Sequence, residues 1–163
     1  MTPHPLAPVA PFEIGLAVQD METSLGFYRD TFGLREISAI SNPEGTAIKS
    51  GIGASSYQVV RLELATGERI KLFQPDRRAI ARPRPSKPLD EAGFAFLTLI
   101  IEDLHAAASH LASAGYPMRR EGIVELRPGV LVCLVDDPDG NVVELVEYQD
   151  LRSYRPETDA RAG

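Results

Sequence analysis

The chain has 163 residues, 44% of them hydrophobic, and a formal net charge of −6. That length supports one domain with a real core, or two small units sharing one. The acidic balance argues against nucleic acid as a partner, which needs a basic face, and no apolar run is long enough to span a membrane.

The N-terminal stretch MTPHPLAPVAP is polar and proline-rich. It has no basic segment followed by an apolar one, so no secretory signal is expected. The lone cysteine, Cys133, lies inside VLVCLV and reads as a buried small hydrophobe rather than a nucleophile. A disulfide-free cytoplasmic protein fits these features.

Residues 1–11 read as a flexible tail that buries little. FEIGLAV, Phe12 to Val18, alternates as a strand does. Asp20 stands where a helix N-cap belongs, because its carboxylate accepts an orphan N–H of the first turn. Met21, Leu25, Tyr28 and Phe32 then fall on one helical face, and Gly33 ends the helix. LREISAI is a predicted strand and NPEGTAIKSGIGAS a long glycine-containing loop. SYQVVRLEL and RIKLFQ form a predicted hairpin turning at Thr66-Gly67. The first module thus runs over 12–74.

Residues 75–92 are a linker rich in proline and arginine, which proline keeps extended. The second module, 93–148, repeats the order. GFAFLTLII is a strand and Asp103 the next N-cap. Leu104, Ala108 and Leu111 make the helical stripe, and Gly115 ends it. PMRREGIVEL and VLVCLVD are predicted strands, Asp137-Pro138-Asp139-Gly140 is a turn, and NVVELVEY is the last strand. Residues 149–163 are a predicted polar tail.

The two halves superpose by counting. A shift of 83 places Asp20 on Asp103, Leu16 on Leu99 and Val18 on Ile101, and a shift of 73 places RIKLFQ on VVELVE. A strand–helix–three-strand unit used twice is a specific signature. Two such curved sheets are suited to facing a common ligand cleft.

LAVQDMETSLGFYRDTFGL in the first half and DPDGNVVEL in the second resemble the vicinal oxygen chelate superfamily, the glyoxalase I, bleomycin-resistance and extradiol-dioxygenase group. The likeness covers about residues 12–148. It implies an α+β fold of two tandem βαβββ modules forming a cleft, and usually a homodimer. It also implies four ligand positions, on the first and last strand of each module. Carried over residue by residue, they are Glu13, Lys71, Phe96 and Glu144. Metal-bearing members usually have His, Glu or Gln there, and this chain departs at Lys71 and Phe96.

The three histidines are His4, His105 and His110, and none falls on a ligand position. A two-histidine iron site is therefore not expected. A divalent metal, if present, would rest on Glu13 and Glu144, but an ammonium beside a cation opposes it. The expectation is no cofactor. Glu13, Lys71 and Glu144 then read as a catalytic set in which Lys71 replaces the cation and one glutamate is a general base. Against this stands a purely structural ion cluster of little net stability.

With the turn at Thr66-Gly67, Leu62 pairs with Lys71 and Val60 with Phe73. Gln58, Val60, Leu62 and Phe73 then share the Lys71 face, with Phe96 opposite, as a small-molecule pocket; the alternative is that they fill a core. Arg77, Arg78, Arg82, Arg84 and Lys87 read as a solvated linker or as contacts to an anionic group. The functional expectation is metal-independent proton transfer by an isomerase, epimerase or lyase on a small carbonyl or aromatic metabolite. A non-catalytic binding or resistance protein and a metal-dependent lyase with atypical ligands are the alternatives.

Overall fold

A computed structural model describes residues 8–83 and 86–156. His4 and Arg84 lie outside them. The chain divides into two units, Met1–Ala81 and Arg82–Gly163, each built on a four-stranded mixed sheet.

In the first unit β1 (Glu13–Ala17) leads into α1 (Met21–Leu25), which continues as a π-turn over Gly26–Thr31. Then come β2 (Arg35–Asn42), α2 (Glu44–Ser50), β3 (Tyr57–Glu63) and β4 (Arg69–Pro75). The sheet order is β1-β4-β3-β2. β1 runs parallel to β4, and the other pairs are antiparallel.

The second unit repeats the plan with β5 (Leu97–Ile100), α3 (Leu104–Ser113), β6 (Val124–Arg127), β7 (Val130–Asp136) and β8 (Val142–Tyr148), in sheet order β5-β8-β7-β6. The α+β class and tandem βαβββ modules expected from the sequence are what the chain forms.

Each helix is fastened to its sheet in the same way. Asp20 accepts the amide of Thr23 at 2.8 Å, and Asp103 accepts that of Ala106 at 2.9 Å. A strand residue adds a second cap. The Gln74 amide oxygen accepts the Met21 N–H at 2.6 Å, and the Glu147 carboxylate accepts the Leu104 N–H at 2.8 Å. Two of the orphan donors of each first turn are thereby satisfied. Gln74 and Glu147 are 73 apart, so the repeat extends to the caps.

These caps also fix which sheet face the helix covers. Side chains alternate along a strand, so α1 lies on the face of Ile70 and Leu72, and α3 on that of Leu145. Leu62, Ile70, Leu72, Leu104, Leu111 and Leu145 are buried there. Asp137 closes the β7–β8 turn from inside, accepting the amides of Asp139 and Asn141 and the Asn141 side-chain N–H. Gly140 holds φ +86°, the left-handed region that suits glycine.

Local departures from the sequence expectation have physical causes. The helical stripe omits Phe27, which is fully buried. The π-turn explains it: the Phe32 amide reaches the Phe27 carbonyl, five residues back, at 3.3 Å. The extra residue in that turn rotates Phe27 inward, where its ring meets Tyr28 and Phe32 edge-on.

NPEGTAIKSGIGAS is not all loop, since Glu44–Ser50 is helical and is closed by Gly51 at φ +72°. PMRREGIVEL is not one strand either. Met118 bridges to Val135, a turn closes at Gly122 with φ +67°, and pairing resumes at Val124. The predicted strand over 93–101 pairs only over Leu97–Ile100, which leaves Phe96 half-buried ahead of it. Within the predicted C-terminal tail, α4 (Leu151–Tyr154) folds back so that Tyr154 stacks on Tyr148 at 4.2 Å.

Candidate functional site

The hairpin register decides which side chains share a face. The Leu64 amide donates to the Glu68 carbonyl and the Gly67 amide to the Leu64 carbonyl. The turn is therefore a three-residue loop, Ala65 to Gly67, with Gly67 at φ +98°. The expected two-residue turn is one residue too short. Lys71 pairs with Arg61, and Phe73 with Val59. A slip of one residue carries a strand's side chains to the other face. Val60 and Leu62, expected beside Lys71, instead oppose Leu72 and Ile70 on the helix-covered face, and both are buried. Gln58 opposes Gln74 on that face and is exposed. These three leave the predicted pocket; Phe73 stays.

The face turned away from α1 carries Glu13, Gly15 and Ala17 from β1, and Arg69, Lys71 and Phe73 from β4. Tyr57, Val59, Arg61 and Glu63 come from β3. Lys71 Nζ lies 3.2 Å from Glu13 Oε2. Arg69 donates to Glu13 Oε1 at 3.2 Å and to Glu63 Oε2 at 2.9 Å, and Arg35 on β2 closes on Glu63. Five charged groups thus alternate in sign across all four strands.

The Glu13 carboxyl is held below its usual range, first by the hydrogen bond from Lys71 and then by that from Arg69. Glu63 is lowered in the same sense, chiefly by Arg69. Partly exposed ion pairs of this kind contribute little to stability, and the bond from Lys71 to Glu13 fixes where the ammonium lies. Arg69, Glu63 and Arg61 escaped the sequence reading. The one-residue error in the turn hid Glu63 and Arg61, whereas Arg69 was marked by its place two residues before Lys71 on the same strand.

Gly15 stands directly opposite Lys71. Its φ is not positive, so conformational freedom does not explain the glycine. Space does: a Cβ there would lie 3.1 Å from Phe73 Cε2. The Phe73 ring lies over the Gly15 backbone, with the Tyr57 ring 5.6 Å beyond.

In the second unit Thr98 stands opposite Glu144 as Gly15 stands opposite Lys71. The 83- and 73-residue shifts relate the two pairs, so the strand register agrees with the sequence repeat. Glu144 Oε2 accepts the Thr98 hydroxyl at 2.7 Å. Within its own unit no Lys or Arg lies within ion-pair distance of it among the described residues. Phe96, two residues before Thr98, offers no donor.

This donor set does not fit a divalent cation. Among the described residues no three His, Cys, Asp or Glu side chains cluster closely enough to hold one. Glu13 is already engaged by two cations. His105 and His110 are exposed on α3. Of the basic linker residues, Arg77, Arg78, Arg82 and Lys87 are exposed, as a solvated linker requires. No helix among the described residues is long and apolar enough to cross a membrane.

Comparison with known proteins agrees with this architecture. Residues 10–145 match the model of the Glyoxalase/Bleomycin resistance protein/Dioxygenase superfamily. A lactoylglutathione lyase of Haemophilus influenzae is 20% identical over 139 residues, covering 85% of this chain and 92% of its own. A glyoxalase family protein from Bacillus cereus superposes with a TM-score of 0.75 at 17% identity, covering 88% of this chain and 97% of that one. The trypanothione-dependent glyoxalase I of Leishmania major gives a TM-score of 0.64 at 17% identity, over 92% and 94% of the two chains. At such identities the structural likeness speaks for the fold alone. Together with the match over residues 10–145, the repeated βαβββ units place this chain in the glyoxalase/bleomycin resistance protein/dioxygenase superfamily.

Proposed function

We propose that the protein is a metal-independent enzyme that moves a proton on a small carbonyl-containing or aromatic metabolite, as an isomerase, epimerase or lyase does. The observation that carries this reading is the Lys71 ammonium, 3.2 Å from Glu13. The superfamily resemblance implies a metal ligand at that position, and here it carries a fixed positive charge.

Two carboxylates were candidates for the base. Glu13 is a poor one, because Lys71 and Arg69 hold it in its charged form and a depressed pKa weakens a base. Its role in this proposal is to orient Lys71. Among the described residues of its own unit Glu144 receives only a neutral hydroxyl donor, so proton abstraction is assigned to it. The carbon acid loses its proton to the Glu144 carboxylate, and its electron pair moves onto the carbonyl oxygen. A fixed ammonium such as that of Lys71 is the kind of group that stabilises an enolate oxygen electrostatically. Return of the proton to the carbon gives the isomer, and loss of a β-substituent gives the lyase outcome. The reading includes a homodimer in the cytoplasm, and light scattering of the purified protein tests the dimer.

The central test is solvent exchange. Protein purified in chelator and assayed for metal content is incubated in D2O with a panel of small ketones and 2-oxo acids, and proton NMR follows loss of the C–H signal. Exchange by metal-free protein is expected, with a drop of at least about a hundredfold in Glu144→Gln, the lower range for general-base catalysis. Exchange that needs added divalent metal, or that survives Glu144→Gln unchanged, would overturn the reading. Tight binding of a panel member without exchange would favour the non-catalytic binding protein.

A further inference from the structure

The pairing of Arg61 with Lys71 is not explained by the ion network. The two cations stand directly opposite each other on adjacent antiparallel strands. They form a non-hydrogen-bonded pair, since the Asp76 amide reaches the Ser56 carbonyl and hydrogen-bonded pairs alternate from there. This is the closer of the two cross-strand geometries, and like charges placed so are destabilising. Lys71 has Glu13 for compensation. Among the described residues Arg61 donates only to the Ser38 hydroxyl, at 3.2 Å, and no carboxylate lies within ion-pair distance of it.

Counting charges on this face makes the imbalance plain. Arg35, largely in solvent at 72% side-chain exposure, is set aside. Arg61, Arg69 and Lys71 then face Glu13 and Glu63, which leaves one positive charge unmatched in a chain of net charge −6. Arg61 and Lys71 are both half-buried, so the excess is not simply dissolved in water. One step along the same two strands lie Phe73 and Val59, and beyond them Tyr57, whose ring tilts against that of Phe73 at 5.6 Å. Gly15 leaves β1 without a side chain beside Lys71.

We infer that Arg61 and Lys71 together bind the carboxylate of a small organic acid whose flat apolar body lies against Phe73 and Tyr57. The Arg61 guanidinium presents parallel N–H donors to the two carboxylate oxygens, and Lys71 adds a point charge. A carboxylate supplies the counter-charge that Arg61 lacks among the described residues. The inference deepens the proposed function, on which its last clause rests: the substrate is an aromatic or similarly flat carboxylic acid, bound through its acid group on the first unit.

Benzoate, its neutral counterpart benzamide and inorganic phosphate serve as probes, titrated into the full chain at low salt and followed by amide chemical shifts. Benzoate is expected to perturb β3 and β4 with millimolar affinity, benzamide at least tenfold more weakly, and added salt is expected to weaken only benzoate. Arg61→Gln is expected to lose benzoate binding at least tenfold, and Arg61→Lys to keep part of it. Circular dichroism checks that both variants are folded. Equal binding of benzoate and benzamide, shifts that avoid β3 and β4, or benzoate binding unchanged in folded Arg61→Gln would overturn the site. Phosphate binding more tightly than benzoate through Arg61 would overturn the carboxylate class. Because no turnover is measured, failure here is distinct from failure of the exchange assay.

Discussion

Lys71 and Glu13 are joined diagonally across parallel strands, Nζ to Oε2 at 3.2 Å, rather than as direct neighbours in the ladder. Lys71 faces Gly15 and leans back two residues toward Glu13. Glu13 has its pKa lowered in the folded state, by Lys71 first and Arg69 second. A lowered carboxylate contributes stability above its unfolded value that is lost as pH falls through the folded value. Melting temperature measured from pH 7 down to pH 3 is therefore expected to fall more steeply for the wild type than for Glu13→Gln. The difference should shrink below the ordinary glutamate value of about 4.3 and vanish below the lowered one. Parallel curves would show that the pair contributes nothing in solution.

The register assigns Leu62 to the core, not to a ligand surface. It is fully buried opposite Ile70. Leu62→Ala is expected to cost roughly 2–5 kcal/mol in urea unfolding, the usual range for a buried leucine, and to leave benzoate affinity unchanged. A small stability cost with a large change in ligand binding would restore the two-residue turn and its pocket.

Glu144 Oε2 accepts the Thr98 hydroxyl at 2.7 Å, and in the proposed mechanism Thr98 orients the base. The bond fixes the direction of the carboxylate, and a misplaced catalytic group works far more slowly. Thr98→Val, close in shape but without the donor, is expected to lower kcat in the exchange assay by about tenfold or more. KM should change little, and Thr98→Ser should recover the loss. A purely structural Thr98 would move the melting temperature and leave kcat alone.

Cys133 sits in β7 opposite Leu145, buried, with its thiol pushed up to about 11 by desolvation. The thiolate is the reactive form, so the native protein should resist a chromogenic disulfide reagent at pH 8 and react only on adding denaturant. Rapid native labelling would contradict the buried placement.

Much of the fold was legible in the sequence because local and repeated signals agreed. Asp20 and Asp103 announced both helices, the Asp137–Gly140 turn set the last hairpin, and the two shifts aligned Lys71 with Glu144. The site was read less well. Thr66-Gly67 is compatible with loops of two or three residues, and only the backbone bonds from Leu64 to Glu68 decide between them. That single residue exchanged Val60 and Leu62 for Val59 and Arg61 beside Lys71. Helix α2 was missed because Gly45, Gly51 and Gly53 resemble loop punctuation, although Gly51 is the residue that ends the helix.

The π-turn over Gly26–Thr31 is where the two halves differ in length without differing in register. The N-caps Asp20 and Asp103 are 83 residues apart, yet the glycines that follow the two helices, Gly33 and Gly115, are 82 apart and both have positive φ. The first half holds one surplus residue between these landmarks, and the widened turn is where the backbone accommodates it. The surplus residue is absorbed inside the helix, so the strands on either side, and with them the offset between Lys71 and Glu13, keep the register of the second half.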